Sequence, residues 1–150
     1  MPPRLPPPVL VIGVGNDLRG DDAAGWVAAG RVAAWGRPGV TVIRTRQLLP
    51  ELAADVACAA AVVLIDARVG GSDTPAITPV EGEPAAATLT HSASLPQLLA
   101  LARDAYGRAP RGFALGIPAA AFDFGAAVSP ACAAGVEAAL RLLSTLLPDG

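Results

Sequence analysis

The 150-residue sequence contains no lysine: all 11 of its basic residues are arginines, and 13 acidic residues bring the net charge to −2. Because these charges are spread along the chain, no basic stripe is available, and neither nucleic acid nor a membrane surface is expected as a partner. The apolar run VLVIGVG near the start is far too short to span a bilayer. We therefore expect a cytoplasmic protein whose partner is a protein or a small molecule.

Cysteine and histidine are also scarce. Cys58 and Cys132 lie in alanine-rich stretches with no second cysteine or histidine at ligand spacing, so we predict two buried structural thiols. His91 is the single histidine, which excludes the H-E-x-x-H motif of zinc peptidases. The sequence likewise has no G-x-S-x-G nucleophile elbow and no cysteine paired with a histidine. Resident zinc and serine or cysteine nucleophiles are therefore disfavoured.

Strand and helix signals alternate along most of the chain. Residues 1–8 are predicted to be a proline-rich extended leader, and residues 9–150 a single domain, since no repeat or linker divides them. The predicted element order is β-α-β-α-β-β-α-β-α. Strands are predicted at 9–14, 40–44, 61–66 and 112–117, with weaker candidates at 76–80 and 86–90, one of which enters the sheet just before His91. This alternation predicts an α/β fold with a mostly parallel sheet and helices on both faces.

The predicted helices carry recognisable start and stop signals. The first begins near Asp22, and a second runs from Pro50 to about residue 60. The third begins with a capping box formed by Ser94 and Gln97 and ends at Gly107. The last begins with Ser129 as N-cap, followed by proline, and runs to residue 148.

Two carboxylates and an imidazole are predicted at the carboxyl ends of three strands. Asp22 follows the first strand, Asp66 ends the third, and His91 lies in the loop before the third helix. Because ligands of such sheets bind beyond the carboxyl ends of the strands, we expect these side chains to converge. The set can bind a first-row divalent cation or perform acid–base chemistry. Each residue also has an ordinary structural interpretation: Asp21 or Asp22 as a helix cap, Asp66 as a turn residue and His91 as a hydrogen-bonding loop residue.

Two other functions share parts of this pattern. NADP binding is one, because the glycines of VIGVGNDLRGDD suggest a dinucleotide-binding turn and Arg44 and Arg46 could hold a 2′-phosphate. However, Leu18 replaces the third glycine, so the close helix–strand approach of such domains is not expected, and the acidic pair would repel a phosphate. A phospho-acceptor receiver-like domain is the other, since Asp21, Asp22 and Asp66 match its acidic residues. Such domains use a lysine that this chain lacks.

Four segments resemble the maturation endopeptidases of nickel-iron hydrogenases. VIGVGNDLRGDDAAG is similar to the opening motif of that family, VVLIDA to its second acidic motif, THSASLPQLLALARDAYG to its histidine motif and FDFGAAVSPACAAGVEAAL to its C-terminal helix region. RQLLPELA, at 46–53, resembles a subgroup associated with cytoplasmic hydrogenases. Two departures from the family pattern are an alanine where many members have glycine after the acids, and Asp-Asp where some have Asp-Glu. The resemblance covers residues 9–147 and implies a three-layer α/β/α sandwich around a mostly parallel, five-stranded twisted sheet.

The resemblance also implies an activity. Such a protein is an aspartic-type endopeptidase that removes the C-terminal extension of a nickel-iron hydrogenase large-subunit precursor after nickel insertion. The nickel-contacting positions of the family fall on Asp22, Asp66 and His91, with Asp22 or Asp66 activating the attacking water. Nickel is then substrate-borne and acts as a recognition tag, and the metal or a backbone N–H of the glycine turn stabilises the oxyanion. Asn16 and Asp21 have supporting roles, and a monomer is expected.

Overall fold

Five strands form a single sheet in a computed structural model that describes residues 3–70, 73–83, 93–122 and 124–149. The strands are β1 (Val9–Val14), β2 (Val40–Thr45), β3 (Ala61–Arg68), β4 (Ala76–Val80) and β5 (Arg111–Pro118). Their order across the sheet is β2-β1-β3-β5-β4. All neighbouring strands are parallel except β4, which runs antiparallel to β5. The predicted mostly parallel, five-stranded α/β fold is confirmed.

Helices cover both faces of the sheet. They are α1 (Ala24–Trp35), α2 (Ala53–Ala57), α3 (Leu95–Tyr106) and α4 (Pro130–Leu146), and short 3₁₀ turns at Gly20–Ala23 and Pro50–Leu52 lead into α1 and α2. Alternate residues of β1 point to opposite faces: Val9 and Val11 pack against α1 and α4, whereas Leu10 and Ile12 pack against α2 and α3. Burial on both faces explains why β1 has no polar alternation, since parallel strands in the middle of three layers are covered on each side.

The predicted element order is confirmed, with differences at the ends of elements. The strand that begins at residue 61 continues two residues beyond Asp66, and the second helix ends at Ala57 rather than near residue 60. Of the two weaker strand candidates, 76–80 joins the sheet as β4. The other candidate, 86–90, and the loop that carries His91 lie outside the described residues.

The helix signals of the sequence correspond to observed hydrogen bonds. The Ser94 hydroxyl accepts from the Gln97 N–H, the Gln97 side chain accepts from the Ser94 N–H, and Gly107 ends the helix in the left-handed region. Ser129 accepts from the Cys132 N–H as the N-cap of α4. The start of α1 differs: neither acid forms a side-chain cap there, so the interpretation of Asp21 or Asp22 as a cap of the first helix is wrong.

The segment before β1 contacts the body of the protein. Leu5 is buried in the core, and its N–H donates to the Leu146 carbonyl at 2.8 Å. The division of the chain into a leader at 1–8 and a domain at 9–150 stays a prediction. Within the described ranges, no helix combines the length and the apolar character needed to cross a membrane.

One of the two cysteines differs from the prediction. Cys132, which belongs to α4, is buried in the core, as expected. Cys58 is exposed just after α2. The prediction for Cys58 is wrong because α2 ends one residue earlier, so the thiol lies on the turn that leads into β3 instead of on a helix face against the sheet.

Candidate functional site

Asp22 and Asp66 lie at the carboxyl ends of neighbouring strands, as predicted. Asp22 is in the 3₁₀ turn that follows β1, and Asp66 is near the end of β3, which pairs directly with β1. From β1 the chain crosses to β2 on one side, whereas β3 lies on the other. This is the switch point at which sheets of this kind form their binding crevices.

A close helix–strand approach brings the two carboxylates together. A Cβ on Gly25, in the first turn of α1, would overlap the carbonyl oxygens of Ile65 and Val14, so glycine is required there. The prediction that the helix would stay further from the strand because Leu18 replaces a glycine is therefore wrong. The start of α1 packs on the backbone one residue before Asp66, and Gly25 makes this possible.

The electrostatics of Asp66 reflect this packing. Burial raises the pKa of Asp66 to about 6; the Ala67 N–H lowers it in part, and the negative charge of Asp22 raises it further. The pair therefore carries more negative charge near neutral pH than its surroundings stabilise. A bound cation relieves this repulsion, and so does a proton taken from water.

The loop between β1 and Asp22 folds back on itself. The Asn16 N–H donates to Asp22 Oδ2 at 3.1 Å, and Asn16 Oδ1 accepts from the Leu18 N–H at 2.9 Å. A Cβ on Gly15 would overlap the Asp22 carbonyl oxygen. Asn16 therefore shapes this loop, as the sequence suggested, and fixes one oxygen of the Asp22 carboxylate.

Four N–H groups of this loop are already engaged. Gly15 donates to the Thr45 carbonyl and Arg19 to the Asn16 carbonyl, in addition to the two donors already described. A backbone N–H of the glycine turn was one of the two groups expected to stabilise an oxyanion. At these four positions that expectation is wrong, so these groups do not form an oxyanion hole.

Asp21 has a role that the sequence did not reveal. Its fully buried carboxylate accepts the N–H groups of Ala120, Ala121 and Ser129 and the Ser129 hydroxyl, at 2.6–3.1 Å. Burial alone would raise the pKa of Asp21, but these hydrogen bonds lower it to about 2. Asp21 thus fastens the turn that carries Asp22 to the connection between β5 and α4. A hint was present in the sequence, since Ser129 was identifiable as an N-cap, but nothing local linked it to Asp21.

A cavity of about 470 Å³ adjoins Asp66. Its polar wall contains Arg46, Gln47 and Ser94, and the rest is mainly apolar, including Leu48 and Leu64. This volume is large enough for a few residues of an extended peptide. The cavity therefore has room for a peptide segment beside Asp66.

His91 lies outside the described residues, so its place in the site stays a prediction. The described chain resumes at Ala93, which lines the same cavity as Asp66 and donates its N–H to the Leu48 carbonyl at 2.8 Å. In the part of the chain that the structure describes, no three histidine, cysteine, aspartate or glutamate side chains are close enough to hold a metal ion. The described site supplies two acidic groups.

Neither of the two alternative functions, a receiver-like domain or NADP binding, is favoured by the structure. In receiver-like sheets the fourth strand lies beside the third, whereas here β5 separates β3 from an antiparallel β4. The arginines considered for a 2′-phosphate have other partners. Arg44 lies over the Trp26 ring at 5.0 Å, and Arg46 pairs with Asp17 at 3.3 Å.

Solved structures with the same fold come from the family that the sequence motifs resemble. A NiFe hydrogenase maturation protease, HycI from Thermococcus kodakarensis, matches with a TM-score of 0.67 and 22% identity over 91% of this chain and 89% of that one. The hydrogenase maturating endopeptidase HybD from E. coli matches with a TM-score of 0.64 and 23% identity, over 90% and 88% of the two chains. A hydrogenase 2 maturation peptidase from a Thaumarchaeota archaeon gives 0.64 and 22%, over 90% and 94%.

At these identities the similarity establishes the fold. No protein-family model matches the sequence, and no curated protein sequence matches it.

Proposed function

We propose that this protein is an endopeptidase that removes the C-terminal extension of a nickel-iron hydrogenase large-subunit precursor after nickel has been inserted. The observation that carries the proposal is the pair formed by Asp22 and Asp66 at the switch point of the sheet, beside a cavity large enough for a peptide. The shared fold of the maturation peptidases and the sequence motifs support the same activity.

Nickel enters this proposal as part of the substrate. The precursor delivers the ion, and Asp22, Asp66 and His91 complete its coordination. Carboxylate and imidazole groups are suitable ligands for such a divalent ion. Burial raises the pKa of Asp66, and the negative charge of Asp22 raises it further. A cation bound by the two carboxylates compensates both effects, so the site favours a metal-loaded precursor over a metal-free one. The ion thereby acts as the recognition tag.

The chemistry needs an activated water and a stabilised oxyanion. One carboxylate of the pair accepts a proton from the water as it attacks the scissile carbonyl, which makes the reaction aspartic in type. The same carboxyl group returns this proton to the amine nitrogen as the C–N bond breaks, so the carboxylate is regenerated. The loop N–H groups of Gly15, Asn16, Leu18 and Arg19 already have acceptors, so we assign the oxyanion to the substrate-borne cation. The protein acts as a cytoplasmic monomer in this proposal.

The test is a cleavage assay with purified precursor, read by intact-mass spectrometry. We expect wild-type protein to shorten the nickel-loaded precursor and to leave the nickel-free precursor whole. Asp22→Asn and Asp66→Asn should each lower the rate by about 100-fold or more, in the range found when a group that stabilises the transition state is removed. Glu137→Gln is the matched control, because this carboxylate is exposed on α4 and pairs with Arg31.

Each component can fail separately. An intact nickel-loaded precursor after incubation with wild-type protein would contradict the function. Undiminished cleavage by Asp22→Asn would contradict the assignment of the site but leave the function standing. Equal cleavage with and without nickel would contradict the metal tag alone.

A further inference from the structure

Of the five exposed large apolar side chains among the described residues, three lie at one edge of the sheet, and the other two are Val27 on α1 and Tyr106 on α3. Leu18, Val69 and Phe124 are 50%, 73% and 72% exposed, and they follow β1, β3 and β5 respectively. They therefore lie at the carboxyl edge, where Asp22 and Asp66 are found. We refer to Leu18, Val69 and Phe124 as the apolar rim.

The opposite edge provides a comparison. Tyr106, 56% exposed, is the last residue of α3, whose first residues line the cavity beside Asp66. Twelve helical residues carry the chain about 18 Å away, to the side where β5 begins. A single exposed aromatic residue such as Tyr106 is ordinary, whereas three exposed apolar side chains around one site indicate an interaction surface.

Specific contacts hold two members of the rim in their exposed positions. The Gly125 N–H donates to the Leu18 carbonyl at 2.8 Å, which joins the two loops. The Arg19 guanidinium lies 5.4 Å from the centre of the Phe124 ring, and its Nε donates to the Phe122 carbonyl at 3.4 Å. Because these contacts fix the loops, binding through Leu18 and Phe124 requires little further ordering of the chain.

We propose that the apolar rim docks the folded body of the substrate protein, while the tail of that protein enters the cavity beside Asp66. This inference rests on the proposed function. The partner is a folded protein that presents an apolar patch next to its scissile segment. A short peptide in the cavity would leave the rim uncovered, whereas a folded partner covers both.

Sequence proximity supports this occupant over a second copy of the chain. Leu18 belongs to the loop that carries Asp22, and Val69 follows Asp66 by three residues. A partner seated on the rim therefore lies at the same edge of the sheet as the carboxylate pair. A second copy bound there would obstruct the site, whereas the substrate must reach it.

The experiment compares Leu18→Ser and Phe124→Ser with Tyr106→Ser in cleavage of the nickel-loaded precursor. We expect each rim variant to raise KM about tenfold with kcat near the wild-type value, because central apolar contacts dominate protein interfaces and uniform binding affects KM alone. Tyr106→Ser should leave both constants unchanged. The Kd of the precursor, measured in an Asp22→Asn background so that cleavage is slow compared with binding, should rise by the same factor. Circular dichroism and thermal unfolding verify that all three variants are folded.

The outcomes separate this inference from the proposed function. Wild-type cleavage together with an unchanged KM and Kd in both rim variants would overturn the docking role and leave the activity intact. A rim substitution that converts a dimer into a monomer without altering KM would also overturn it, because the rim would then join copies of this chain. If wild-type protein fails to cleave the precursor, the proposed function falls, and so does the inference that depends on it.

Discussion

Asp21 and Ser129, which are 108 residues apart in the sequence, form two hydrogen bonds: the Ser129 N–H donates to Asp21 Oδ1 at 2.6 Å, and the Ser129 hydroxyl donates to Asp21 Oδ2 at 2.8 Å. Ser129 is at the same time the N-cap of α4. The buried negative charge of Asp21 therefore lies at the positive end of a 17-residue helix, where the helix dipole favours it. The next residue along the chain is the candidate ligand Asp22.

The first prediction concerns this contact. Asp21→Asn places an amide N–H₂ among N–H donors and should lower the free energy of unfolding by about 2–3 kcal/mol, the range for leaving buried hydrogen-bonding groups unsatisfied. Asp17→Asn is the control, since Asp17 lies in the same loop but is exposed and should cost less than about 1 kcal/mol. Urea denaturation measures both values. Equal stability of the two variants would contradict the role assigned to Asp21.

The same contact predicts a pH dependence. The pKa of Asp21 falls from 3.8 to about 2 on folding, so its ionised form contributes stability that is present above pH 3.8 and is lost as the pH falls towards 2. Asp21→Asn should lack this component of acid unfolding. Urea titrations of wild type and variant at pH 5 and pH 2.5 should therefore converge at the lower pH. A difference that persists unchanged between the two pH values would argue against an ionised Asp21.

Asp66 should behave in the opposite way. Its pKa rises from 3.8 to about 6 on folding, so the folded state binds the proton more tightly and stability falls as the pH rises through this interval. We expect Asp66→Asn to be more stable than wild type by on the order of 1 kcal/mol at pH 7.5, after allowing for the partial exposure of this carboxyl, and to lose that advantage near pH 4. Glu137→Gln serves as control: the hydrogen bond and the charge of Arg31 lower the pKa of Glu137, so any effect has the reverse sign.

Two glycines of α1 give a matched pair for packing. Gly25→Ala forces a methyl group into the Ile65 and Val14 carbonyls and should destabilise the protein by about 2 kcal/mol or more, because backbone in a packed interior cannot move aside cheaply. Gly30→Ala meets only the end of the Arg44 side chain, at 2.9 Å, and should be neutral or stabilising by up to about 1 kcal/mol through helix propensity. Thermal unfolding distinguishes the two. Similar losses for both would mean that α1 does not approach β3 as described.

The cysteines can be tested without mutation. Cys58 is exposed, whereas Cys132 is buried, and burial with the nearby Asp21 charge raises the pKa of its thiol to about 11. A PEG-maleimide should therefore add to one thiol of the native protein and to both in urea. Peptide mapping should place the native label on Cys58. Rapid labelling of Cys132 in the native state would contradict the packing of α4 against the core.

The sequence of strands and helices along the chain and the positions of the two carboxylates were predictable from local patterns. Buried parallel strands appear in a sequence as short apolar runs, and the residues at their carboxyl ends meet at one edge of the sheet. The sequence alone therefore placed Asp22 and Asp66 at that edge. The capping signals at Ser94 and Ser129 were also local. These features depend only on residues within a few positions of one another.

The remaining features depend on contacts between distant segments. The partnership of Asp21 with Ser129 has no local signature, and an acid beside a helix start is equally suited to capping that helix. The need for glycine at position 25 also has no local signature, because it comes from the carbonyl groups of two strands. The engaged N–H groups around Asn16 likewise follow from the particular fold of the loop. His91 stays a prediction.

The strand order has a consequence for synthesis of the protein. Strands β1, β2 and β3 are complete by residue 68, so the first half of the chain already contains Asp22, Asp66 and the strands that bring them together. Strand β4 joins the sheet only after β5 has been synthesised, because β5 lies between β4 and β3. The contact of Asp21 likewise forms only after Ser129 has been synthesised. A chain still emerging from the ribosome thus has its acidic pair before it has the support for the loop that carries Asp22. The support for Asp22 is therefore complete only when the last helix has docked.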